Sequence, residues 1–65
     1  MTQKEKIFRI VEIYAPIKTE EVEKKALNMY ISGGSAGRYL RWLQEDGKII
    51  GEKISHSKTK IWRLI

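Results

Sequence analysis

The chain is 65 residues long and contains no cysteine, so it has room for one domain with a small core and neither a disulfide framework nor a thiolate metal site to staple it. Hydrophobic residues make up 42% and charged residues 32%, the balance of a globular chain rather than a disordered tail, and no apolar run approaches a membrane span. The net charge of +5 is unevenly spread: residues 1–47 hold eight basic and seven acidic side chains, whereas 48–65 hold five basic ones against Glu52 alone. The N-terminal MTQKEKIF has no apolar segment behind its charges and does not read as a secretory signal, so a cytoplasmic location, or a nuclear one in a eukaryote, is expected.

Thr2 and Glu5 have the spacing of a capping box and predict a helix start. Ile7, Ile10, Val11 and Tyr14 then recur at i, i+3, i+4 and i+7, with Phe8 and Ile13 broadening the apolar stripe and Glu5 and Arg9 forming an i, i+4 pair on the wet side. Pro16 disfavours helical geometry at Ala15, which predicts a helix end near Tyr14 and a short extended link over 15–18 with Ile17 buried. Thr19 reads as a second N-cap, with Glu20 and Glu21 in the first turn where the helix dipole favours negative charge. Glu20 with Lys24 and Glu21 with Lys25 are i, i+4 pairs, and Val22, Ala26 and Met29 form a modest apolar stripe up to about Asn28.

Ser32, Gly33 and Gly34 read as a loop, and a third helix is expected over 35–46. It would place Ala36, Tyr39, Leu40 and Leu43 on one stripe and Arg38, Arg41 and Glu45 on the other side, with Trp42 at the boundary. Gly47 supplies the left-handed residue that closes a helix at low cost. Residues 48–54 and 60–65 read as two strands around the polar 55–59, with Trp62 and Leu64 facing the core, Ile50 and Ile54 on one face of the first strand, and Ile61 and Ile65 outward.

Helix, extended link, helix, loop, helix and basic hairpin is the order of the winged helix-turn-helix domain. The segment SAGRYLRWLQEDGKII at 35–50 resembles that family's recognition helix: Leu40-x-x-Leu43-x-x-x-Gly47-x-Ile49 is similar to the way such helices pack and turn into the wing, and Ile61-Trp62-Arg63-Leu64 to its closing strand. The resemblance covers nearly the whole chain and implies an α+β fold of three helices followed by a two-stranded β-hairpin wing, as one domain over 1–65. It also implies binding of double-stranded DNA, with the third helix in the major groove and the wing on the backbone. Carried over by position, Ser35 and Arg38 would meet bases or phosphates, Arg41 would meet phosphate, and Lys53, His56, Ser57, Lys58 and Lys60 would supply wing contacts. The residue types suit these roles, since arginine can bind a guanine edge bidentately and lysines neutralise phosphates with release of counterions.

His56 is the sole histidine, with no second histidine, cysteine or carboxylate at ligand spacing, so no metal site is expected. Nothing adjacent in sequence orients it as a general base, and Gly33-Gly34 lacks the spacing and the lysine of a phosphate-binding loop. No enzyme and no cofactor are expected. A transcriptional regulator or a phage- or plasmid-type accessory factor is the expected role. The alternative is a winged helix serving as a protein-interaction or dimerisation module through the outer hairpin face, with Ile61, Ile65 and Trp42 in contact.

Overall fold

A computed structural model describes residues 2–54 and 59–65. The chain runs α1 (Gln3–Tyr14), β1 (Ile17–Lys18), α2 (Thr19–Leu27), α3 (Gly33–Glu45), β2 (Ile49–Lys53) and β3 (Lys60–Leu64). The three strands form one antiparallel sheet in the order β1-β3-β2, so the strand pair expected from the sequence is present as β2–β3 and gains a third strand. The added strand is the extended link after Pro16. Its Ile17 is buried and lies opposite Trp62, which draws this two-residue segment into the ladder. Among the described residues no helix is long and apolar enough to cross a membrane.

α1 begins as expected, the Thr2 hydroxyl accepting from the Glu5 amide and donating to the Glu5 carboxylate, 3.2 Å each. Ile7, Ile10 and Val11 are buried, but the stripe is narrower than its period suggests: Tyr14 and Ile13 are exposed, Ile13 by 66%. The Tyr14 ring instead lies 3.9 Å beneath the Lys25 ammonium. Lys25 and Lys24 form no ion pair with the first-turn glutamates. Thr19 is not a cap either. It is the first residue of α2, and its hydroxyl accepts from the Trp62 indole N–H at 2.8 Å and donates to the Lys60 carbonyl at 3.3 Å. Val22 and Ala26 are buried while Met29 has turned outward, because α2 ends at Leu27 and the chain reverses before Met29 can complete the stripe.

α3 starts two residues earlier than expected. The Ser32 hydroxyl accepts from the Ser35 amide at 3.2 Å, so Ser32 is the N-cap and Gly33 and Gly34 form the first turn rather than a loop. Ala36, Leu40 and Leu43 are buried, as the pattern requires. Tyr39 is partly buried and its hydroxyl donates to Gln3 at 2.9 Å, and Trp42 stands edge-on to it at 5.5 Å, exposed to solvent. Gly47, at φ 76°, closes the helix. Ile7, Ile10, Val11, Val22, Ile31, Leu40, Leu43 and Ile49 supply the largest fully buried side chains, gathered between the three helices and the sheet.

The face of β2 is inverted relative to expectation. Ile49 is fully buried and Ile50 exposed, because Ile49, Gly51 and Lys53 share the face of Leu64, Trp62 and Lys60 across the ladder. Trp62 reaches the core as expected; Leu64, opposite Ile49 and the last residue of β3, is 42% exposed and does not. Ile65 is outward, 76% exposed, whereas Ile61 is partly covered. Gly51 lies directly under the Trp62 ring. A β-carbon there would sit 2.7 Å from the ring, and 3.0 Å from the Gln44 Oε1 that accepts the Gly51 N–H. Gly51→Ala is expected to destabilise the protein by about 1–3 kcal/mol through overpacking, read as a lower urea midpoint at unchanged slope.

The ends of α1 and α3 are tied by the Lys4 ammonium, which donates to the Asp46 carboxylate. That hydrogen bond, with the charges of Lys4 and Lys48, holds the Asp46 carboxyl below its ordinary value against the opposing push of desolvation. A depressed folded-state pKa contributes stability above the unfolded value, lost as pH falls through the folded one. The expected outcome is that wild type melts above Asp46→Asn at neutral pH and that the gap closes in acid. A gap that persists in acid would show that the contact does not act through charge.

Candidate nucleic-acid interface

Burial of Ala36, Leu40 and Leu43 leaves Gly34, Arg38, Arg41, Trp42 and Glu45 on the solvent side of α3. Arg38 and Arg41 form no ion pair among the described residues. The acidic Glu45 and Asp46 lie at the far end, so positive charge is concentrated in the first half of the helix. Ser35 sits in the first turn. Its amide is taken by Ser32, and its hydroxyl oxygen accepts from the Ser32 hydroxyl at 3.0 Å, which leaves its own proton to donate.

Between α3, the start of α2 and β3 lies a recess of about 200 Å³. Leu40 and Trp62 give it an apolar lining, Gly37 and Gln44 border it from α3, and Arg41 and Lys60 make it cationic, with Thr19 completing the wall. The Lys60 ammonium stands 5.8 Å from the Trp62 ring centroid. Lys53 lies directly opposite Lys60 in the ladder and on the same face. This pair alternates with the backbone-bonded pairs marked by the Ile54 amide on the Thr59 carbonyl, so the two lysine side chains start from the closer of the two antiparallel spacings. Like charges set directly opposite are destabilising.

Charge is sorted between the two faces of the sheet. On the outer face Arg63 is paired with Glu52 at 3.6 Å, whereas among the described residues Lys53 and Lys60 have no acidic partner. A second, shallower hollow of about 390 Å³ beside α2 carries Glu20 and Glu23 with Lys24, Leu27 and Gly33, and offers little to an anion.

Of the residues expected at a DNA surface, Arg41, Lys53 and Lys60 are therefore brought to one side of the molecule, with Arg38 on the exposed crest of α3 and Ser35 in its first turn. His56, Ser57 and Lys58 lie outside the described residues. Gly37, Gln44, Thr19 and Trp62 were not read as site residues. The one available signal was Gly37, a glycine in mid-helix, where packing does not ask for it: a β-carbon there would meet nothing within 4 Å.

The chain matches no protein-family model, no curated protein and no solved structure. The cost of the lysine pair is open to direct measurement. Lys53→Glu is expected to raise stability by roughly 0.5 kcal/mol at low ionic strength, with the gain shrinking as salt is added. An unchanged urea midpoint at low salt would show that the two ammonium groups do not oppose one another.

Proposed function

We propose that this protein is a small winged helix-turn-helix module that binds double-stranded DNA, with α3 in the major groove and the β2–β3 hairpin as the wing. The observation that carries this reading is the opposition of Lys53 and Lys60, without a counterion among the described residues, on the face that also borders the Arg41 recess. A polyanion lying along that side supplies the missing negative charge and releases its own counterions. Arg38 projects from the crest of α3 and is the base-reading residue of the proposal, with Ser35 beside it; Arg41, Lys53 and Lys60 take phosphates. His56, Ser57 and Lys58, at the hairpin tip in sequence, extend the same contact. A module of this size buries little surface, so a regulatory or accessory role calls for a second copy or a cooperating protein on DNA.

A second reading draws on a different observation, the outer sheet face, where Ile50 and Ile65 are exposed beside the partly covered Ile61. In this reading the domain joins proteins rather than DNA. Self-association that disappears with Ile61→Lys, in a protein without duplex affinity, would favour it.

The test of the first reading is an amide-resolved NMR titration with a short random-sequence duplex at low and at moderate salt. Shifts confined to 33–42 and 53–60 that fade with salt are expected. Arg38→Ala is expected to lower affinity and relax sequence preference, and Lys58→Ala to weaken all duplexes alike and reduce the salt slope by about one. No shifts even at low salt would overturn the DNA reading.

A further inference from the structure

The recess between α3, the start of α2 and β3 is lined by donors. Arg41 and Gln44 stand three residues apart on one stripe of α3, and Lys60 closes the wall from β3. No aspartate or glutamate lines it. Both side-chain oxygens in the wall are already engaged: the Thr19 hydroxyl accepts from the Trp62 indole and donates to the Lys60 carbonyl, and the Gln44 Oε1 accepts the Gly51 N–H at 3.0 Å. That last bond fixes the two ends of the Gln44 amide. Its NH2 group, which has no partner among the described residues, is the end left to donate. Two cations and a neutral donor, with no side-chain acceptor to spare, select an anion.

Gly37 lies on the same stripe, four residues before Arg41. Glycine inside a helix is less favourable than alanine, and a β-carbon at 37 would meet nothing within 4 Å. Packing within the chain therefore does not ask for glycine. What the missing side chain leaves is open space in the recess, whose volume is about 200 Å³. That is below the roughly 300 Å³ at which sites for drug-sized ligands begin, and it suits a phosphate group with a few further atoms.

We propose that this recess binds a small phosphate monoester, with Arg41, Lys60 and the Gln44 amide donating to its terminal oxygens and Gly37 leaving it the space. A monoester carries a charge of about −2 at neutral pH and three acceptor oxygens, which matches two cations and three donor groups. A carboxylate or a backbone phosphodiester offers one charge and two free oxygens, a poorer match on both counts. The site does not require a duplex. Its consequence for DNA rests on the duplex-binding reading above: the two ligands share Arg41 and Lys60, so filling the recess competes with DNA.

The test is an amide-resolved NMR titration of wild type, Gly37→Leu and Gln44→Glu with phenyl phosphate, dimethyl phosphate and benzoate at equal ionic strength. The signals read are the backbone of 37–44 and the Trp62 indole N–H, with the indole of Trp42, which does not line the recess, as reference. Phenyl phosphate is expected to move the recess signals and leave Trp42, and to bind roughly ten-fold more tightly than the other two. Gly37→Leu fills the space with a good helix former, and is expected to raise Tm by about 4 °C while abolishing the shifts. Gln44→Glu keeps an acceptor for Gly51 and turns the donor into an anion, so Tm is expected to hold while affinity falls roughly ten-fold. Phenyl phosphate that leaves the recess signals unmoved, binds no better than benzoate or dimethyl phosphate, or binds Gln44→Glu like wild type would overturn the site. A duplex held equally well with the recess filled would overturn the competition and leave the site standing. A protein that binds phenyl phosphate and no duplex would overturn the duplex reading alone.

Discussion

The Trp62 indole is the contact on which the arrangement of this small protein depends. It lies in the central strand, opposite Ile17 on one side and Gly51 on the other, with its ring over the space where Gly51 has no side chain and its N–H held by Thr19. One side chain thereby joins both edge strands and the first turn of α2. With a core of twelve buried hydrophobic residues among those described and no disulfide, each such junction is a large part of the total. A buried indole without an acceptor would forfeit part of what its ring contributes, and Thr19 supplies that acceptor. The geometry then propagates: Lys60 is two residues along the same face of β3, so fixing Trp62 against α2 and α3 also fixes where the first lysine of the hairpin stands relative to Arg41.

Several features of the molecule work against stability. Lys53 and Lys60 oppose each other, Gly37 weakens the middle of α3 without relieving any contact, and Tyr30 occupies a backbone conformation better suited to glycine. Each has a cheaper alternative in ordinary helix or sheet chemistry. Local departures from what folding alone would choose gather at functional surfaces, and here they lie around α3 and the hairpin rather than around α1. The outer face of the sheet, with Glu52 paired to Arg63, follows the ordinary rule.

Much of the architecture was legible in the residues. The 3.6-residue recurrence of Ile7, Ile10 and Val11 and of Ala36, Leu40 and Leu43 located two core-facing stripes, and Thr2, Pro16 and Gly47 marked ends that the structure keeps. Two of the errors share one cause: a short polar side chain has several backbone partners within reach, and sequence does not say which it takes. Ser32 and Ser35 are both plausible caps, and only the closed first turn selects Ser32. Thr19 looked like a cap but is claimed by Trp62, 43 residues away. Ile49 and Ile50 are adjacent isoleucines, so the choice of face rests on where Gly47 leaves the chain, which no period reveals. The two residues of β1 are too few to show alternation, and they become a strand only because β3 has a free edge there. The recess around Arg41 was unreadable for the same reason, being assembled from three elements distant in sequence.

The hydrogen bond from the Gly51 amide to Gln44 has a bearing on how these molecules behave at high concentration. β2 is an edge strand, and Gly51, in a pair that does not exchange backbone bonds with Trp62, turns its N–H away from the sheet. Such outward amides are what an incoming strand uses to extend a sheet from one molecule into another, the first step toward fibrillar aggregates. Here the helix next door has already occupied the middle one with a side-chain carbonyl. Gln44 thus acts as a doorstop on the sheet's open side, guarding that edge with a single amide group.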